Sequence, residues 1–168
     1  MDDIFSRQTS KYKLNDYKLT RMVLSPSHWC SYKLRSKLKW HYVKFESTKS
    51  NYVPNNAGGV YTFIIKPGIA RHPSCSYLMY VGMTERQMLR DRFSQYLSDK
   101  KRGDLSRRLH VVEMLDKWDG YLWFYYAVIH KRKDIKKVEN ALLAAYLPPS
   151  NHKFPASVRH ALAKIFSH

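Results

Sequence analysis

Gly59-Val60-Tyr61-Thr62-Phe63-Ile64-Ile65-Lys66 and Tyr77-Leu78-Met79-Tyr80-Val81-Gly82 are the two stretches whose reading decides the fold. Both are rich in β-branched and aromatic residues, and both read as strands. Pro67 to Ser76 between them holds Gly68, Pro73 and small polar residues, which suits a long hairpin loop. Residues 85–99 then change to a helical period, with Leu89, Phe93, Tyr96 and Leu97 forming one apolar stripe. Further on, the run Tyr-Leu-Trp-Phe-Tyr-Tyr-Ala-Val-Ile at 121–129 has the length and composition of a buried strand. Asp134 follows as the expected cap of a helix to about Tyr146, stopped by Pro148-Pro149. The order β-β-α-β-α predicts an α+β fold: a small three-stranded antiparallel sheet flanked by helices.

Working outward, residues 47–58 are rich in Ser, Asn, Pro and Gly and read as a linker. Residues 26–44 read as one basic amphipathic helix opened by Pro26-Ser27. Trp29, Leu34, Leu38 and Tyr42 would be its stripe, with Lys33, Arg35, Lys37, Lys39 and Lys44 around it. Residues 1–20 look like a basic arm. The expected division is a basic helical N-terminal extension at 1–57, a core domain at 58–154 and a C-terminal helical tail at 155–168.

The net charge is +17, from 30 Lys and Arg against 13 acids, with a pI near 9.9. Such an excess repels itself in a compact state unless a polyanion offsets it, and nucleic acid is the partner that charge suggests. A solvated basic surface is the plainer alternative. Cys30 and Cys75 are the only cysteines, too few for a disulfide framework or a Cys-x-x-Cys zinc site. That usage fits a reducing cytoplasm. No run of about 18 apolar residues exists to span a membrane. Met1-Asp2-Asp3-Ile4-Phe5 opens no secretory signal.

Several side chains invite a chemical reading. Glu139 shares a helix face with Leu142, Leu143 and Tyr146. A carboxylate on an apolar face needs a salt bridge or a metal. Arg92 and Tyr96 lie four apart and neighbour each other on a helix, with Arg92 either solvated or binding a phosphate. Arg90 flanks the same stripe as its rival. Tyr61 and Tyr80 each read as ordinary strand aromatics when taken alone, and Asn151 as a loop residue. The eight His include no pair at metal-binding helix spacing.

Taken in order, these residues resemble the GIY-YIG nuclease family. Gly59-Val60-Tyr61 and Tyr80-Val81-Gly82 stand for its two signature strands. Arg92-Phe93-Ser94-Gln95-Tyr96-Leu97 is similar to its helix arginine segment. Glu139-Asn140-Ala141-Leu142-Leu143 through Pro148-Pro149-Ser150-Asn151 is similar to its Glu and Asn segment. The resemblance covers residues 58–154. Many members place the arginine ten residues after the second tyrosine, which here is Arg90, whereas the flanking residues favour Arg92.

The resemblance implies a DNA endonuclease that hydrolyses phosphodiester bonds with one Mg²⁺ or Mn²⁺ ion held by Glu139. Tyr61 would be general base or water-positioning group, its pKa lowered by Arg92 and Lys66. Arg92 would stabilise the phosphate, Tyr80 and Tyr96 would complete the cluster, and Asn151 would brace it. DNA contacts would fall to Lys37, Lys39, Lys66, Arg90, Lys100, Lys101, Arg102, Arg107, Arg108 and Lys131. Seventeen residues after Asn151 leave no room for the long C-terminal DNA-reading module of intron-encoded members. A compact restriction-like enzyme, of a kind that often forms a homodimer, is the expectation. A phage, mobile-element or repair nuclease of loose specificity is the second reading. A non-catalytic nucleic-acid-binding protein on the same fold is the third.

Overall fold

The computed structural model describes residues 18–32, 37–68, 75–103 and 108–166. Strand β1 (His41–Lys44) and a 3-10 helix (Ser47–Tyr52) precede strands β2 (Gly59–Ile65) and β3 (Tyr77–Thr84). Strand β4 (Leu122–Val128) comes later, and the four form one antiparallel sheet in the order β1-β4-β2-β3. The sheet therefore has one strand more than the sequence pattern led us to expect. Strand β2 is central, paired with β3 on one side and β4 on the other. Six of its seven residues are buried, as an unbroken apolar run facing two layers requires.

A short helix α1 (Pro26–Ser31) lies ahead of β1. Helices α2 (Leu89–Arg102) and α3 (Leu109–Lys117) fall between β3 and β4, and α4 (Arg132–Tyr146) and α5 (Ala156–Phe166) follow β4. Alternation along β2 sends Tyr61, Phe63 and Ile65 to one face of the sheet, against Leu89, Phe93 and Tyr96 of α2 and Val111, Met114 and Leu115 of α3. Val60 points to the other face with Val81 and Ala127, and there meets Ile135, Val138, Leu142 and Leu143 of α4. The result is a sheet clad by helices on both faces.

Three expectations are corrected. Residues 26–44 do not form one helix: α1 ends at Ser31, and His41–Lys44 pairs with β4, Tyr42 opposite Tyr125 and Lys44 opposite Trp123. The β-branched and aromatic content of that segment wins once a neighbouring strand supplies partners. Leu34, Lys33 and Arg35 lie outside the described residues, as do the arm at 1–17 and much of the β2–β3 hairpin loop. The supposed linker at 47–58 instead holds the 3-10 helix, whose following residue Val53 is fully buried among the core aromatics. Helix α3 was not anticipated. Asp134 does not cap α4: Lys131 holds the cap position and Asp134 sits in the first turn, where its charge complements the helix dipole.

Two glycines are dictated by close approach. A Cβ on Gly59 would fall 2.1 Å from the Ala127 carbonyl oxygen, and one on Gly82 would fall 2.6 Å from the Tyr61 ring. Neither the β4 backbone nor a buried ring can yield cheaply. Gly59→Ala is expected to destabilise the fold by about 1–3 kcal/mol, read as a lower urea midpoint. An unchanged midpoint would show that the β2–β4 contact is looser than described.

Candidate active site

The aromatic contacts of β2 and α2 converge on three tyrosines. Tyr61 of β2 and Tyr96 of α2 meet hydroxyl to hydroxyl at 2.9 Å, both buried, with ring centroids 5.8 Å apart. Tyr80 of β3 stands beside Tyr96, its ring 6.2 Å away, and its hydroxyl joins the same hydrogen-bonded chain. Tyr80 is partly exposed, so the chain runs from the core to the surface. Gly82 is what lets the Tyr61 ring lie across β3.

Two arginines approach this chain. Arg108 places its guanidinium 4.7 Å from the Tyr96 ring centre while pairing with Asp99. Arg92, half-buried on α2, donates from one terminal nitrogen to Gln95 Oε1 at 2.9 Å. Its Nε is buried and has no hydrogen-bond partner among the described residues. An orphaned buried donor on a cation is costly unless an anion completes it. Arg90 is spent elsewhere: its Nε donates to the Val53 carbonyl at 2.8 Å and a terminal nitrogen to the Asn51 carbonyl at 2.9 Å. It ties α2 to the 3-10 helix. Of the two rival arginines, Arg92 is the one with a buried donor left unpaired among the described residues.

Glu139 of α4 keeps a side chain only 12% exposed, and its Oε2 accepts from Lys136 at 2.6 Å. The partner is thus a lysine one turn earlier on the same helix, the salt bridge of the two options that the sequence offered. Glu139 lies close enough to Tyr80 for its charge to favour the neutral phenol. A single hard carboxylate of this kind suits a Mg²⁺ ion that keeps most of its water. Among the described residues no group of three or more His, Cys, Asp or Glu gathers.

Asn151 is positioned by the chain's exit from α4. Leu147 adopts a left-handed conformation, φ 45°, that turns Pro148 and Pro149 back toward β3. Asn151 Oδ1 then accepts from the Val81 amide at 2.9 Å, and Nδ2 donates to the Val81 carbonyl at 2.8 Å. Ser150 adds a backbone bond to the Met79 carbonyl at 3.0 Å. The strand carrying Tyr80 is held on both sides of that residue.

The tyrosines are not activated in this state. Burial raises Tyr61 well above the ordinary phenol range, and Arg92 and Arg108 lower it by less. Tyr80 and Tyr96 are raised for the same first reason. Lys66, expected to help lower Tyr61, instead sits 4.9 Å over the Trp123 ring and 5.0 Å over the Tyr42 ring. Of the remaining basic candidates, Lys37, Lys39, Lys101, Arg102 and Lys131 are exposed, and Lys100 pairs with Asp119 at 2.5 Å. Arg107 lies outside the described residues. Sequence spacing also gave no hint that His110 of α3 stacks on His152 at 4.1 Å, because the two are forty-two positions apart.

In comparison with known proteins, no family model matches the chain, and no curated protein or solved structure matches it. No helix among the described residues is long and apolar enough to cross a membrane.

Two measurements check this geometry. Below about pH 10 a tyrosine keeps its proton in both folded and unfolded chains. Above that the unfolded chain ionises first while the buried cluster stays neutral, so stability falls as pH rises. Urea midpoints should decline through that window, and less steeply in Tyr61→Phe; equal slopes would mean that the cluster is not held neutral. Separately, Asn151→Ala removes two hydrogen bonds to β3 and should cost about 1–3 kcal/mol, seen in the same melts.

Proposed function

We propose that this chain is a metal-dependent endonuclease that hydrolyses DNA phosphodiester bonds. The observation that carries the reading is the unpaired Arg92 Nε beside a chain of three tyrosine hydroxyls. A phosphate oxygen is the partner an orphaned guanidinium donor fits best, since the fork matches its geometry and charge. Glu139 near Tyr80 supplies the single carboxylate that a Mg²⁺ or Mn²⁺ ion would use, with water filling its other positions. Glu139 Oε2 is at present paired with Lys136 at 2.6 Å. Such an ion, when bound, stabilises the oxygen leaving the phosphorus. The fivefold motif resemblance to GIY-YIG nucleases and the charge of +17 point the same way.

The protein's own groups divide the work. Arg92 holds the phosphate and offsets the negative charge that grows on it. Tyr61 and Tyr96 are positioning residues at neutral pH: burial keeps them protonated, and they fix the direction of the Tyr80 hydroxyl nearest the surface. Tyr61 would therefore orient a water rather than take its proton. Asn151 holds the strand that presents Tyr80. A compact restriction-like role is the form of the proposal we favour, with defined ends as its mark.

The test is incubation with supercoiled plasmid and Mg²⁺. Wild type should give discrete fragments, EDTA should abolish them, and Glu139→Ala should leave the plasmid intact. Arg92→Ala should slow cleavage about 10²–10³-fold, whereas Arg90→Ala should lower the urea midpoint. Full cleavage by Glu139→Ala would remove its metal role. A plasmid shifted on a gel but never cut would favour a non-catalytic nucleic-acid-binding protein.

A further inference from the structure

The β1 margin of the sheet carries a second, unrelated concentration of chemistry. On the face that α4 covers around Val60, Val81 and Ala127, the part over β1 and β4 carries the exposed Tyr42 and the half-buried Trp123 and Tyr125. There Tyr42, Trp123 and Tyr125 form a continuous aromatic surface. Tyr42 stacks on Tyr125 at 4.9 Å and meets Trp123 edge-on at 5.7 Å. The Lys66 ammonium sits against all three rings, at 5.0, 4.9 and 5.5 Å. Around the free edge of β1 the pattern continues onto the opposite face. His41 stacks on Tyr126 at 5.5 Å, and Tyr52 lies beneath the Lys49 ammonium at 5.6 Å. Tyr42 is 56% exposed and Tyr52 68%. A hollow of about 580 Å³ runs along this edge, bordered by both tyrosines, Trp40, Lys44 and Lys49.

Large rings open to solvent beside lysines demand a partner that is both flat and anionic. A protein ligand would satisfy the rings but would meet the lysines only if acidic. Duplex DNA would satisfy the lysines but hides its base faces inside the stack. A single strand offers both, with bases to lie on the rings and phosphates to meet Lys49 and Lys66, while Lys44 is paired with Glu46 at 2.5 Å. We propose that the β1 edge is a binding platform for an unpaired nucleic-acid strand. Nucleic acid as partner comes from the function proposed above, but cleavage is not needed for it. The strand order β1-β4-β2-β3 sets this platform three strand spacings, about 14 Å, from the strand that carries Tyr80. A strand end or displaced flap held at β1 would thus leave the tyrosine cluster free for a second segment.

The probe is a fluorescein-labelled oligothymidylate, titrated in EDTA and compared with a hairpin duplex. Wild type should bind the oligothymidylate with quenching of its own tryptophan fluorescence. Tyr42→Ala and Tyr52→Ala should each weaken that binding about tenfold, leave duplex binding unchanged, and melt as wild type. Tyr42→Phe should restore binding, because the ring and not the hydroxyl stacks. The loss in Tyr42→Ala should persist as salt is raised, since stacking is not screened. Equal binding by wild type and both alanine variants, equal loss for strand and duplex, or no binding of oligothymidylate by wild type would each overturn the proposal. Its failure would leave plasmid cleavage standing. Failure of the nuclease reading would leave oligothymidylate binding standing.

Discussion

The hydrogen bond between Tyr61 and Tyr96 is the contact on which the rest of the arrangement turns. It joins the central strand to the helix that carries Arg92, and it does so with both partners buried. Two phenols in an apolar setting satisfy each other only at one register of α2 against β2. That register sets where Arg92 stands, and Arg90, two residues earlier and on another side of α2, is drawn to the carbonyls of Val53 and Asn51 instead. A slip of the helix would expose one hydroxyl and orphan the other. The cluster is thus both a core joint and the floor of the candidate site.

Burial has opposite effects on the two kinds of group gathered there. It holds the phenols neutral, which removes any cost of charge in the core. It leaves Arg92, which cannot be neutralised, with an unanswered donor. The proposed site thus sets one unanswered cationic donor among groups that stay uncharged. Glu139 approaches Tyr80 from the other helical layer, with Lys136 holding its charge.

The sequence made the middle of the molecule legible. The runs at 59–66, 77–82 and 121–129 are strands because nothing else suits so many β-branched and aromatic residues, and α2 announces itself by Leu89, Phe93 and Tyr96 at successive turns. The margins were not legible. His41–Lys44 is a strand only because β4 pairs with it, and its residues also fit a helical stripe through Trp29 and Tyr42. The 3-10 helix at Ser47–Tyr52 is made of linker-like residues and is fixed by Val53 and by Arg90, both distant in sequence terms from one another. At the site, the grouping of Tyr61, Tyr80, Tyr96 and Arg92 could be anticipated from motif order. The raised phenol pKa values, the position of Lys66 on the far aromatic surface and the Asp99 partner of Arg108 could not, because each depends on burial or long-range contact.

The doublet of hydrogen bonds from the Asn151 side chain to Val81, with Ser150 bonded to Met79, has a meaning beyond bracing Tyr80. Those backbone groups of β3 point outward from the sheet, so a side-chain amide and a loop amide take the place that another strand would fill. The middle of that margin is thereby closed to strand addition, the usual route to self-templated aggregation. At the β1 margin bulky rings and lysines stand guard instead of hydrogen bonds.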